Sequence, residues 1–149
     1  MTSIHSEELL NVSLKDLLIP SERVAHVQIG NSLEHALLVL TKSGYSAIPV
    51  LDPQYKLHGL VSAPMIMDSI LGLERIEFEK LEEIRVESIM NIDNPRVSSS
   101  TPVLDTIKHL VDHPFICVED EEGYFDGILT RRSILKRLNG HLHQIQHDK

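Results

Sequence analysis

Two adjacent arginines, Arg131 and Arg132, stand where the sequence predicts the start of a helix. Thr130 precedes them and is a typical N-cap residue, so both would fall in the first helical turn. Unpaired backbone N–H groups and the positive end of the helix dipole favour an anion there. Because two cations oppose that dipole, the pattern indicates a phosphate site rather than helix stabilisation. The alternative is that both arginines pair with carboxylates on an acidic surface.

Small and aromatic residues elsewhere in the chain suit the base of a nucleotide. Ala25 and Ala47 fall on predicted strands, where the backbone can approach a purine and hydrogen-bond its edge. Tyr45 can stack on the base or donate its hydroxyl. Arg23 and His26 flank Ala25 and would reach phosphate or ribose. Packing against the core is the alternative for Tyr45, and a solvated surface is the alternative for Arg23 and His26.

A metal site and a catalytic site are both weakly supported. His109 and His113 have the i, i+4 spacing of metal ligands on a helix, but Pro114 ends that helix at once. The tail histidines His141, His143 and His147 lack partners that would fix their geometry. No phosphate loop, dinucleotide fingerprint, cysteine pair or nucleophile elbow occurs, so we expect neither a metal nor an enzyme.

Composition narrows the class of protein. The chain has 149 residues, 14 basic and 22 acidic side chains, and a formal charge of −8, which argues against coating nucleic acid or an anionic membrane. No apolar run reaches the roughly 18 residues that a membrane span needs, and no secretory signal is present, so we expect a cytoplasmic protein. The single cysteine, Cys117, lies in an apolar run and is expected to be a buried thiol.

An internal repeat organises the chain. Both halves contain an apolar strand ending in Asp, a polar turn, and a second strand with an early Gly. Asp52 and Asp120 are 68 residues apart (120 − 52), as are Gly59 and Gly127 (127 − 59). The helices before these strands match with an offset of 70, as Leu40 and Leu110 illustrate (110 − 40).

Each repeat therefore predicts strand, helix, strand, turn, strand and helix. In the first repeat these are residues 24–29, 33–43, 47–51 and 57–61, with a helix from 63. In the second they are residues 96–98, 103–112, 115–119, 125–129 and 131–138, with Asn139-Gly140 ending the last helix. Asn31 and Thr101 are the expected helix caps. The predicted organisation is repeat 1 over 14–73, a connector helix over 74–85, with the joint between repeats at about residues 83–86, repeat 2 over 86–140, and a polar tail over 141–149.

The repeat resembles a tandem pair of cystathionine-β-synthase-type (CBS) domains over residues 14–138. Residues 86–90, Val-Glu-Ser-Ile-Met, match the opening V-x-x-I-M of that family, and residues 14–20 are a looser copy. The strand-Asp-turn-Gly-strand element also occurs twice. The resemblance implies an α/β (α+β) fold in which two strand-helix-strand-strand-helix repeats pack as one CBS module. It also implies that modules dimerise and that adenine nucleotides bind in clefts between repeats.

A closer resemblance is to the small stand-alone bacterial CBS proteins that act as cyclic di-AMP receptors, the DarB/CbpB type. It is carried by residues 24–31, 33–40, 44–53, 72–81 and 130–132. It implies a homodimer without cofactors that binds cyclic di-AMP. The ligand-free form would bind the Rel-type (p)ppGpp synthetase/hydrolase and pyruvate carboxylase. The ligand-binding residues it implies are Arg23, Val24, Ala25, His26, Tyr45, Ser46, Ala47, Thr130, Arg131 and Arg132.

One departure from the wider family bears on the ligand. CBS repeats that hold the ribose of AMP or ATP usually carry an Asp three residues after the Ser or Thr that ends the last strand. Met65 and Ser133 occupy these places here. Their identity disfavours an AMP or ATP energy sensor and is compatible with a cyclic dinucleotide. An adenine-nucleotide sensor and a purely structural dimerisation module remain the alternatives.

Overall fold

The computed structural model describes residues 13–147, and the chain within it forms two compact units. The central unit comprises Ala25–Asn94. The terminal unit comprises the residues before and after it, of which 13–24 and 95–147 are described. The units do not coincide with the sequence repeats. The start of the first repeat belongs to the terminal unit, and the start of the second repeat, residues 86–94, belongs to the central unit.

The central unit is a three-stranded sheet with helices. Its elements are β2 (Val27–Gln28), α2 (Leu33–Ser43), β3 (Ala47–Leu51), β4 (Leu57–Ser62), α3 (Ala63–Ile70), α4 (Lys80–Glu83) and a 3-10 turn (Val86–Ser88). The strand order is β2-β3-β4, with β2 parallel to β3 and β3 antiparallel to β4. Its core contains Val27, Leu33, Ala36, Leu40, Ile48, Val50, Val61, Ile66 and Val86.

Helix α2 shows how the sequence sets one of these elements. Its buried positions Leu33, Ala36 and Leu40 follow helical spacing. The predicted cap at Asn31 is wrong by one residue, because the Ser32 hydroxyl accepts from the backbone N of His35 at 3.2 Å. The Asn31 side chain instead accepts from the backbone N of Gln28.

The terminal unit is a four-stranded sheet with helices. Its elements are α1 (Leu14–Leu17), β1 (Ile19–Pro20), a 3-10 turn (Ser21–Arg23), β5 (Arg96–Ser98), α5 (Val103–Ile107), a second 3-10 turn (Lys108–Val111), β6 (Phe115–Glu119), β7 (Phe125–Thr130) and α6 (Arg131–His147). The strand order is β1-β7-β6-β5. Strand β5 is parallel to β6, and β7 is antiparallel to both β6 and β1. Strand β1, from the first repeat, therefore completes the sheet of the second.

Four predicted elements need correction. The helix over 103–112 is α-helical only at Val103–Ile107 and continues as the 3-10 turn Lys108–Val111. The strand over 24–29 is only Val27–Gln28, so Ala25 precedes the strand. The connector over 74–85 is helical only at Lys80–Glu83. Helix α6 does not end at Asn139-Gly140 but continues to His147, so most of the predicted polar tail is helical; residues 148–149 lie outside the described part.

Of two smaller predictions, the helix cap at Thr101 is wrong and the buried thiol of Cys117 is confirmed. Pro102, not Thr101, is the N-cap residue of α5, and it makes no side-chain cap bond. Cys117 is a free thiol with 1% exposure in β6, as predicted, and burial raises its pKa to about 12. None of the helices in residues 13–147 has the length and apolar character needed to cross a bilayer.

Candidate functional site

The start of α6 is built as predicted. Thr130 ends β7 beside Phe115 of β6, and α6 begins at Arg131. The Thr130 hydroxyl accepts from the backbone N of Ser133 at 2.9 Å, and the two hydroxyl oxygens lie 2.8 Å apart. The N-cap prediction is confirmed, and both arginines lie in the first turn.

Arg131 is exposed, but its guanidinium is bound to backbone carbonyls of the same unit. Its Nε donates to the carbonyl of Leu110 at 2.6 Å and its Nη2 donates to the carbonyl of Val111 at 3.0 Å. These carbonyls end the 3-10 turn Lys108–Val111 and would otherwise lack helical partners. Arg131 therefore caps a helix end, an arrangement that neither the phosphate prediction nor the carboxylate alternative includes.

Arg132 differs from its neighbour. Like Arg131 it is exposed, but no hydrogen bond or ion pair is found for it within residues 13–147. The carboxylate pairing considered for both arginines is thus absent from this part of the chain. An unpaired guanidinium beside the N–H groups of a helix N-terminus is suited to a phosphate oxygen.

Arg23 and Val24 lie in the same unit as Arg132, but they approach β7 at a different point along the strand. The 3-10 turn Ser21–Arg23 packs against β7, and Val24 is buried with 5% exposure. Ile19 pairs with Ile128 and Pro20 with Gly127, so the chain leaves β1 towards the Phe125 end of β7. The structure therefore does not bring Arg23 to the end of β7 that carries Thr130.

The central unit gathers its candidate residues at one sheet edge. Strands β2 and β3 are parallel, so Ala25 and His26, which lead into β2, lie at the edge where β3 begins. Ala47 is the first residue of β3 and pairs with Ser62, the last of β4. Tyr45 and Ala25 are half-buried and pack against the core, whereas Ser46 is exposed. The core-packing alternative for Tyr45 is borne out, although half-burial leaves part of the ring accessible.

Sequence reasoning missed residues beside this edge. An open cleft of about 490 Å³ in the central unit is lined by Ala25 and by one face of α2, namely His35, Leu38, Val39, Lys42 and Ser43. The i, i+3, i+4, i+7 spacing of residues 35, 38, 39 and 42 was the available signal, since it places them on one helix face.

The His26 ring has a neighbour that was also missed. It meets the ring of Tyr55 edge to face, with centroids 5.4 Å apart and an interplanar angle of 78°. Both side chains are half-buried. The turn containing Tyr55 was interpreted from sequence only as a connection between strands.

The metal hypothesis gains no support. Within residues 13–147, no group of three His, Cys, Asp or Glu side chains is close enough to hold an ion. The side chains of His141, His143 and His147 lie outside the described part of the structure.

Comparison with known proteins places these features in a family. The family model of the CBS domain matches residues 13–72 and again 86–140. The chain belongs to the CBS-domain family. The predicted mixed α/β fold with two CBS domains is confirmed.

Individual relatives are more specific. The chain is 52% identical to cyclic di-AMP receptor B of Bacillus subtilis (strain 168) over 145 residues, covering 97% of this chain and 99% of the relative. The crystal structure of Listeria monocytogenes CbpB in complex with c-di-AMP is 56% identical, with a TM-score of 0.82, covering 88% of this chain and 98% of that one.

A third relative carries no assigned function. It is a CBS domain-containing protein of unknown function from Bacillus anthracis (strain Ames Ancestor), 63% identical with a TM-score of 0.83, covering 90% of this chain and 97% of that one. The resemblance to the DarB/CbpB type is confirmed by the first two relatives. Because the B. subtilis relative is a receptor, the expectation of a non-enzymatic binding protein is also supported.

Proposed function

We propose that this protein is a cyclic di-AMP-binding regulatory protein without enzymatic activity. The observation that carries the proposal is its 52% identity, over nearly the full length of both chains, to a cyclic di-AMP receptor. A relative of similar identity forms a complex with the same ligand.

The chemistry of the ligand fits the residues. Cyclic di-AMP has two phosphates and two adenines, and its 3′ oxygens are esterified. Arg132 offers a free guanidinium for a phosphate, and Ala25, Tyr45 and Ala47 offer small and aromatic surfaces for adenine. Ser133, where an AMP-binding repeat would carry Asp, has its hydroxyl beside that of Thr130.

The proposed ligand-binding residues are divided between the two units. The central unit contributes Ala25, His26, Tyr45, Ser46 and Ala47. The terminal unit contributes Thr130, Arg131 and Arg132 at one end of β7, and Arg23 and Val24 towards its other end. We assign Arg132 the direct phosphate contact. Arg131 already binds two carbonyls, so its contribution to the ligand would include holding the start of α6.

The proposal is tested by titration calorimetry of the purified protein with cyclic di-AMP, cyclic di-GMP, AMP and ATP. We expect cyclic di-AMP to bind most tightly. Tight binding of AMP or ATP without binding of cyclic di-AMP would instead support an energy sensor. Binding of none of the four nucleotides would support a structural dimerisation module.

Arg132→Met should weaken cyclic di-AMP binding by roughly ten-fold or more, because charge-assisted hydrogen bonds contribute on the order of 1.5–3 kcal/mol. Calorimetry measures the change. Stability should be unaffected, since Arg132 is exposed and forms no hydrogen bond or ion pair within residues 13–147. Lys136→Met removes a charge one turn later on α6 and should leave affinity unchanged. Equal affinity of the Arg132→Met variant and the wild type would remove Arg132 from the site.

The regulatory part of the proposal concerns partner proteins. By resemblance, the ligand-free protein, as a cytoplasmic homodimer, binds the Rel-type (p)ppGpp synthetase/hydrolase and pyruvate carboxylase, and cyclic di-AMP releases them. A ligand can shift partner binding only by the difference in its affinity for the free and the partner-bound protein. Purified Rel and pyruvate carboxylase should therefore be retained on the immobilised protein without cyclic di-AMP and eluted by it, whereas cyclic di-GMP should not elute them.

A further inference from the structure

The turn between β3 and β4 contains an unusual backbone conformation. Tyr55 has φ +70, and it is the one non-glycine residue with positive φ in the described part of the chain. A bulky residue in the left-handed region is uncommon and costs on the order of 1 kcal/mol relative to glycine. Such a conformation persists only where the surrounding structure holds it.

The second repeat forms the same turn with a glycine in the position of Tyr55. Asp52 Oδ1 accepts from the backbone N of Gln54 and Lys56, and Asp120 Oδ1 accepts from the backbone N of the residues 68 positions later, Glu122 and Tyr124. Gly123, which corresponds to Tyr55 (123 − 55 = 68), has φ +91. The turn itself is therefore satisfied by glycine, and the tyrosine must serve something other than chain reversal.

One contact of the Tyr55 ring is with a candidate ligand-binding residue. The ring meets the imidazole of His26 edge to face at a centroid distance of 5.4 Å. His26 directly follows Ala25 at the sheet edge of the central unit. An imidazole held by an aromatic neighbour loses less conformational freedom when it binds a ligand than one that rotates freely.

We propose that Tyr55 is a positioning residue for ligand binding, which orients the His26 imidazole towards the phosphate or ribose of the nucleotide. The inference rests on the proposed function, because it assigns Tyr55 a role through a residue of that site. The strained turn of the first repeat thus serves ligand binding. The corresponding turn of the second repeat has Gly123 in this position and therefore no aromatic ring.

The test is a double-mutant cycle on the full chain, read by calorimetry with cyclic di-AMP. Tyr55→Gly should fold, since Gly123 occupies the same place in the second repeat, and should lower affinity roughly three- to ten-fold. Tyr55→Phe keeps the ring and should retain wild-type affinity. In a His26→Ala background, Tyr55→Gly should cause no further loss. Gln54→Ala, an exposed change in the same turn, is the control and should have no effect.

The outcomes separate this inference from the proposed function. If the wild type does not bind cyclic di-AMP, the proposed function fails. If the wild type binds and Tyr55→Gly binds equally well, or if the losses from His26→Ala and Tyr55→Gly are additive, only the positioning role is overturned. Urea unfolding of each variant accompanies the titrations, and a loss of affinity that Tyr55→Phe does not rescue would also overturn it.

Discussion

Adjacent arginines at the start of α6 have different tasks. Both are exposed, but Arg131 donates to the carbonyls of Leu110 and Val111, whereas Arg132 has no hydrogen-bond or ion-pair partner in residues 13–147. The first holds α6 against the preceding helical turn, and the second is available to an anion. A double substitution would therefore combine a loss of structure with a loss of ligand contact, and the single Arg132→Met change is the more informative experiment.

Asn94 is a buried residue whose polar atoms are unsatisfied. It is 7% exposed, and neither its Nδ2 nor its Oδ1 has a partner among the described residues. Its counterpart in the first repeat, Val24 (94 − 24 = 70), is 5% exposed. We expect Asn94→Val to raise the free energy of unfolding by about 1–3 kcal/mol, measured by urea denaturation, because the desolvation cost of the amide disappears.

Asn91→Val is the matched control for this prediction. The Asn91 side chain is exposed and accepts from the backbone N of Asp93 at 2.9 Å. Its replacement should leave stability unchanged or lower it. A loss of stability in Asn94→Val comparable to that in Asn91→Val would contradict the account of Asn94.

Single residues were predictable from sequence where their role is local. The Thr130 cap depends on residues three apart, and it was predicted correctly. The partners of Arg131 are 21 and 20 residues away, and no local pattern indicates which carbonyls a long side chain will reach. The contact between His26 and Tyr55 was missed for the same reason, since it joins two loops through the sheet register.

At the scale of elements, strand β7 depends on the glycine that faces β1. Gly127 has φ +155, and a Cβ built there would lie 2.2 Å from the carbonyl oxygen of Ile19. Gly127→Ala should therefore force β1 away from β7 and lower the free energy of unfolding by about 1–3 kcal/mol or more, measured by urea denaturation.

Gly140→Ala, on α6, is expected to have the opposite effect on stability. An added Cβ there meets no atom of the described residues within 4 Å, and the residue is exposed within the helix. Alanine should raise stability by about 0.5–1 kcal/mol, because glycine has the lower helix propensity. If Gly127→Ala were tolerated as well as Gly140→Ala, the close approach of β1 to β7 would be wrong.

Elements were predicted best where two copies of the pattern agree. The bounds of β3 and β6 match their sequence predictions, because the two copies of the repeat mark the same apolar run. The bounds of β5 also match, although its copy in the first repeat was predicted too long. Helix α6 was predicted too short because Asn139-Gly140 ends a helix only if the glycine adopts positive φ, and Gly140 is not among the positive-φ glycines.

The predicted connector helix over residues 74–85, after α3, was wrong for a different reason. Its pairs Arg75 with Glu79 and Glu77 with Lys80 have helical spacing. The backbone nevertheless turns back, with the N of Glu77 donating to the carbonyl of Ile70 at 2.6 Å. Ion pairs three or four residues apart form in turns as well as in helices, so their spacing alone did not determine the element.

At the scale of the whole molecule, the repeat and the compact unit are different objects. The repeats begin near residues 13 and 86, whereas the units divide at Val24/Ala25 and at Asn94/Pro95. The predicted joint near residues 83–86 therefore lies inside the central unit. A period of 68 to 70 residues shows that the chain contains two copies of the repeat. It does not show which of the two copies will pack against the segment that precedes the first predicted strand.

Acid changes the stability of the whole molecule, because the free energy of unfolding depends on how many more protons the unfolded chain binds than the folded one. A hydrogen bond from His58 lowers the pKa of Asp52, and a hydrogen bond from Arg75 lowers the pKa of Glu79 to about 2. As the pH falls, the unfolded chain binds these protons first, near the ordinary values of 3.8 and 4.5. The stability they contribute at neutral pH is therefore lost as the pH falls below about 4.5 towards 2.

We expect the free energy of unfolding, measured by urea denaturation, to decrease between pH 5 and pH 3. Glu79→Gln should make that decrease smaller, because the variant has no proton to bind at this position while its amide can still accept from Arg75. Glu34→Gln removes an exposed carboxylate that forms no ion pair within residues 13–147 and should leave the slope nearly unchanged. A slope that Glu34→Gln and Glu79→Gln alter equally would mean that overall acidity, with a formal charge of −8, governs the response instead of the Arg75–Glu79 pair.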